Sequence, residues 1–179
     1  MFNPYQLIEK HYTPGTELYY ILVKHSEQVR DKALEVVTKH PELNANATFI
    51  AEAAMLHDIG IFLCDAPRIF CHGSHQYIEH GYLGAEMLRK EGLEQHALVC
   101  ERHTGTGISL EKILEHNLPL PHRNMQPITI EEQVICYADK FFSKTDLNTM
   151  HTPDRIRTSI GRHGTEHTAI FDAWHKLFS

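Results

Sequence analysis

Histidine and aspartate carry the chemistry of this chain. His25, His57, Asp58, His80, His103 and Asp139 each stand where a polar side chain is out of place. His25 lies on an apolar stripe with Leu22, Val29, Ala33 and Val36 at helical spacing, so both of its ring nitrogens need partners. Asp58 ends a helix, where the macrodipole disfavours an anion and a nearby cation would relieve the conflict. Asp139 falls between Ile135 and Phe142 on a helical face, and burying it unpaired would be costly. His80 opens a helix whose inward face continues through Gly84 and Leu88, and His103 closes the next on a face with Val99 and Cys100. Each has a plainer reading: a core histidine bonded to a carbonyl, a surface aspartate, an Asp139–Lys140 pair. Taken together, four imidazoles and two carboxylates suit one or two first-row divalent metals in octahedral-like sites. No cysteine belongs to the set, which disfavours a structural zinc.

The elements that must position these residues read as helices. Periodicity and punctuation predict a long helix over 16–39, started after Pro14-Gly15 and stopped by Pro41, and a second over 46–58 ended by Gly60. Helices follow over 80–91 and 93–103, terminated by Gly92 and Gly105, and a short one over 109–116. Thr129-x-x-Glu132 reads as a capping box opening a helix that runs to about Lys144. Thr152-Pro153 places a cap and a first-turn proline before another helix. Residues 165–178 close the chain with an apolar stripe of Ile170, Trp174 and Leu177. Segments 61–74 and 117–127 read as loops. No convincing alternating strand appears, so the fold class is an all-α, single-domain helical bundle.

The chain has 179 residues, enough for one domain with a sizeable core. Its net charge of −6 excludes binding to bulk nucleic acid or an anionic membrane by charge alone. No apolar run approaches the ~18 residues of a membrane span, and no secretory signal is visible. Cys64, Cys71, Cys100 and Cys136 show no C-x-x-C pair, which fits free thiols in a reducing cytoplasm. The 15 histidines are the unusual number, and histidine is the commonest metal ligand.

At this point the sequence resembles the HD superfamily, in its HDIG branch. The resemblance rests on His25, LHDIG at 56–60, EHGYLGAEML at 79–88, ERHTGTG at 101–107 and YADK at 137–140, in the family's order over residues 20–145. It implies one HD domain over 1–179, with the motif core at about 20–145 and a C-terminal helical extension over 152–179. It also implies a metal-dependent phosphohydrolase. Carried over by motif, His25, His57, Asp58 and Asp139 would bind a first metal, and Asp58 would bridge to a second held by His80 and His103. Mn, Fe, Co, Ni or Mg would serve. The expected reaction is hydrolysis of a phosphoester or phosphoanhydride in a nucleotide-like or small phosphorylated substrate, through a metal-activated hydroxide. Asp58, Lys140 and Arg102 are the catalytic candidates, and His72, His75, Lys140 and Lys144 are those for binding substrate. The cluster Arg155, Arg157, Arg162 and His163 reads either as a phosphate patch or as a solvated face. A di-iron oxygenase of a polyol or phosphonate and a non-catalytic nucleotide sensor share the same ligand pattern, and a homodimer is left open.

Overall fold

The computed structural model describes residues 2–179. The helices among them are α1 (Pro4–Glu9), α2 (Glu17–Lys39), α3 (Ala47–Leu56), α4 (His80–Lys90), α5 (Glu94–Arg102), α6 (Leu110–Glu115), α7 (Ile130–Asp139), α8 (Pro153–Ile160) and α9 (Thr165–Phe178). The all-α class holds: the strands among the described residues are the two-residue β1 (Asp65–Ala66) and β2 (Cys71–His72), paired antiparallel. Caps set the helix starts. Thr16, Asn46, Ser109, Thr129 and Thr152 each accept a bond from a first-turn amide, satisfying a donor the helix leaves free. α1 escaped the periodicity reading although its signal is present, since Asn3 caps it and Pro4 takes the first turn.

Several expected boundaries shift. The helix expected over 46–58 ends at Leu56, leaving His57 and Asp58 in the turn beyond. The helix expected to reach Lys144 stops at Asp139, and the irregular chain that follows turns Lys144 back toward Asp58. The capping box is half formed. Thr129 accepts from the Glu132 amide, but the Glu132 carboxylate accepts from the Ile128 amide and from Arg102. In α9 the buried stripe is Phe171, Trp174 and Phe178, and Leu177 is exposed; the aromatic side chains select the face because they fill the space against Tyr137. The 61–74 segment is irregular, as expected, but holds the small ladder and two 3-10 turns.

The core has two large apolar clusters, beside a small one of Ile113, Leu120 and Met125. One apolar cluster joins α2, α3 and α7 to α8 and α9 through Val29, Ala54, Tyr137, Ile156 and Phe171. The other joins α1, α2, α3, α4 and α5 through Ile8, Leu22, Leu56, Leu88 and Cys100. His25 follows Leu22 of the second cluster by three and precedes Val29 of the first by four. The polar residues therefore form a seam between two apolar blocks, each of which holds one side of it rigid. Gly60 and Gly84 let the turn after α3 touch α4 backbone to backbone. A Cβ on Gly60 would lie 2.3 Å from the His80 carbonyl oxygen and 2.5 Å from the Gly84 nitrogen. Gly60 has φ of −87°, so its role is close approach and not the left-handed helix stop expected of it.

Candidate metal centre

The seam gathers all six expected ligands, each buried. They form two donor sets: His25, His57, Asp58 and Asp139, and Asp58, His80 and His103. In the first set, His25 Nε2 lies 3.0 Å from Asp139 Oδ1 and 3.2 Å from Asp58 Oδ2, and His57 Nε2 lies 3.1 Å from Asp58 Oδ2. In the second, His80 Nε2 and His103 Nε2 are each 3.3 Å from Asp58 Oδ1 and 3.0 Å from one another. Donors at about 2.1 Å from one ion sit about 3 Å apart on adjacent octahedral corners, so these separations match a shared cation.

The hydrogen bonds behind the ligands fix the imidazoles. Nδ1 of His57 donates to the Ala54 carbonyl at 2.7 Å, that of His80 to the Tyr77 carbonyl at 2.6 Å, and that of His103 to the Cys100 carbonyl at 2.7 Å. A carbonyl only accepts, so in each neutral ring the proton is on Nδ1 and Nε2 presents its lone pair to the seam. A carbonyl bond at Nδ1 leaves Nε2 free for a metal, so the carbonyl-bonded core histidine and the candidate metal ligand are compatible readings of one residue. His25 differs: its Nδ1 has no partner. Oδ1 of Asp58 and Nε2 of His57 also lack a hydrogen-bond partner, while Oδ2 of Asp58 is met by the Lys144 ammonium. Buried lone pairs facing carboxylates repel them unless a proton or a metal cation lies between. The donor set fits a metal, and the unpartnered His57 Nε2 and Asp58 Oδ1 are atoms a metal would engage.

Charge in the seam follows. Burial pulls the His57 imidazolium down, but Asp58 beside it and the bonds to Asp139 and Asp58 outweigh this and raise it to about 9. Burial alone dominates at His103 and lowers it to about 4. Burial opposes the ionised form of Asp58, yet His57 and Lys144 hold it well below the ordinary carboxylate range. Lys144 Nζ stands 2.6 Å from Asp58 Oδ2 and is the cation that the helix-end position of Asp58 calls for. Asp139 is lowered as well, against burial, with Lys140 the foremost cause. Without metal, His57 protonation stabilises the fold at pH below the unfolded value of about 6.5, and that contribution is lost as pH rises through about 9. The gain in melting temperature on adding manganese is therefore expected to widen between pH 6.5 and 9, with proton release on binding; a constant gain across this range would contradict it.

The other candidates are dispersed. Lys140 Nζ donates to Asp139 at 2.7 Å and to the His103 carbonyl at 3.2 Å, so it braces two ligands from behind. Arg102 is committed to Glu132, with both oxygens at 3.0 Å. His72 is exposed in β2, and His75 faces Glu79 at 3.2 Å. Of the arginine cluster, Arg157 pairs with Asp154 and Asp172 on the surface, whereas Arg162 and His163 line a cleft beside His80. Tyr77 went unnoticed in the sequence. Its ring stacks on His80 with centroids 4.7 Å apart, and it walls the cleft at Asp139 and Lys144 as well as the cleft at His80. A hydrophobic-to-polar switch just before a ligand is too common a pattern to have marked it.

The model of the HD domain matches residues 22–143, well over half of the chain. The chain belongs to the HD-domain family. This HD domain is 34% identical over 152 residues to an uncharacterized protein of Methanocaldococcus jannaschii, covering 83% of this chain and 81% of that one. It is also similar to proteins named tRNA (cytidine(56)-2'-O)-methyltransferase. The one from Thermoplasma volcanium is 32% identical over 123 residues, which is 68% of this chain. The one from Picrophilus torridus is 31% identical over 124 residues, 69% of this chain. The match spans 32% of each methyltransferase. No solved structure matches. Family membership and the buried His/Asp cluster are consistent with a metal-dependent hydrolase. Among the described residues, no helix is long and apolar enough to cross a membrane.

Proposed function

We propose that this HD domain is a phosphohydrolase that cleaves a phosphoester or phosphoanhydride of a small, nucleotide-like substrate at a two-ion centre. The observation that carries the reading is Asp58, whose two oxygens face different donor sets, Oδ2 toward His25 and His57 and Oδ1 toward His80 and His103. Such a bridging carboxylate is the arrangement a paired-metal site requires. Bound divalent ions would polarise a phosphoryl oxygen and lower the pKa of a water toward neutrality.

The chain's own groups do the rest. His25, His57 and Asp139 would hold one ion and His80 and His103 the other, with Asp58 shared. Lys140 is kept charged by Asp139 against its burial, so it offsets one carboxylate of the set and orients it. Lys144 stands at the cleft of about 450 Å³ that also includes Asp139, Ser143 and Thr145. There its ammonium would meet the non-bridging phosphate oxygens and stabilise the charge that builds on them. Arg102, engaged with Glu132, supports the wall and does not meet substrate. Replacing Lys144→Met should lower kcat/KM for a phosphodiester such as bis(4-nitrophenyl) phosphate by about 100-fold with metal content unchanged. Loss of metal in place of activity would make Lys144 a structural counter-charge only.

The direct test is elemental analysis of protein purified without chelator, followed by assay of mono- and diester and anhydride substrates after loading with manganese. Two ions per chain and metal-dependent release of phosphate are expected. Iron retained in preference to manganese, with oxygen uptake and no phosphate release, would replace this reading with oxygenase chemistry.

A further inference from the structure

Beside His80 a cleft of about 640 Å³ opens, within the range of pockets that enclose a small organic ligand. One wall is outside the matched HD region: Ile160 ends α8, Arg162 and His163 lie in the turn after it, and His167 is in the first turn of α9. The opposite wall is apolar, with Ile78, Ile108 and Leu118, and the floor is the ring of Tyr77 against His80. Two bonds hold the walls together. Thr106, from the segment after His103, shares a 2.7 Å hydrogen bond with Nδ1 of His167, and Lys112 of α6 pairs with Glu166 of α9 at 3.1 Å. The turn presenting Arg162 is equally defined, because Gly164 has φ of +143°, a conformation that other residues rarely adopt.

The charges of this cleft are unequal. Lys112 is neutralised by Glu166, whereas Arg162 has no carboxylate partner among the described residues. Its guanidinium stands exposed on an apolar cleft that begins at a ligand of the second ion. An unpaired cation, the candidate ligand His80 and apolar walls with an aromatic floor describe the complement of a particular molecule.

The geometry points to a leaving-group subsite: the α8–α9 segment accepts a planar, apolar ring that carries, besides the reacting phosphate, a second anionic group read by Arg162. This inference rests on the phosphohydrolase reading for the orientation of the substrate, but its test does not require turnover. Three phosphonates, whose carbon–phosphorus bond a phosphoester hydrolase does not hydrolyse, serve as probes: methylphosphonate, phenylphosphonate and 4-carboxyphenylphosphonate. Binding to the manganese-loaded full chain is measured by calorimetry. The ring should tighten binding about tenfold over methyl by burying apolar area. The carboxylate should add about fivefold, the size of an exposed ion pair. Arg162→Ala, on an exposed turn with no packing role, should abolish the carboxylate gain and keep the ring gain. Equal affinity of phenyl- and methylphosphonate, no gain from the carboxylate, or a carboxylate gain that survives Arg162→Ala would each overturn the subsite. Ring and Arg162 effects found in a protein that hydrolyses no phosphoester would overturn the hydrolase reading and leave the subsite standing.

Discussion

Asp58→Asn is expected to fold with the helical content of the parent and to lose hydrolysis by at least about 10³-fold, the several kcal/mol that metal polarisation supplies to such reactions. Asparagine matches the volume of aspartate but removes the charge that both donor sets share. The first set would keep three strong donors and the second only His80 and His103, so metal content should fall from two ions to one at most. A comparison with His80→Ala sharpens the expectation. That change touches the second set alone and should leave the first ion in place. Elemental analysis with circular dichroism separates the two variants. Two ions and parental activity in Asp58→Asn would sink the paired centre, since no other carboxylate faces both groups of histidines.

The second large effect comes from a residue that binds nothing. Gly60→Ala would set a methyl group 2.3 Å from the His80 carbonyl oxygen and 2.5 Å from the Gly84 nitrogen. Both obstacles are backbone, so neither can rotate away, and the turn and α4 must separate. Overpacking of a tight interior costs about 1–3 kcal/mol, and a backbone collision belongs at or above the upper end. Because His80 opens α4, the displacement moves a ligand of the second ion. Urea unfolding should therefore show a loss of about 3 kcal/mol or more, and any folded fraction should bind one ion tightly and the second poorly. Gly92→Ala is the control. Its Cβ meets nothing within 4 Å, and the cost should be about 1 kcal/mol from its φ of +75° alone. Equal stability of the two variants would show that the Gly60–Gly84 contact does not hold the site.

The sequence by itself singled out the residues of the candidate centre and determined much of the frame around it. The ligand types are written in the chain, and the spacing of His25 on its stripe placed that ligand inward before any contact was known. Caps at Thr16, Asn46, Ser109, Thr129 and Thr152 act within three residues, so local chemistry was enough to start those helices in the right places. What the fold alone decided depends on contacts between distant segments. His25 and Asp139 meet across a separation of 114 residues, and Asp58 divides its two oxygens between donor sets only because α2, α4, α5 and α7 converge on one turn. The end of α7 at Asp139 and the return of Lys144 to Asp58 follow from that convergence, since a buried carboxylate without a counter-charge would be costly. Arg102 and Lys140, both beside candidate ligands in the chain, part company: Arg102 turns away to Glu132, whereas Lys140, just past the end of α7, reaches Asp139 and the His103 carbonyl. Gly60 reads as a helix stop from its neighbours, yet its requirement is set by a helix twenty residues away. Helix periodicity and capping are short-range and survive in a string of letters. The sharing of a carboxylate, the burial of a lysine and the joining of α8–α9 to the cleft at His80 are long-range, and only packing fixes them.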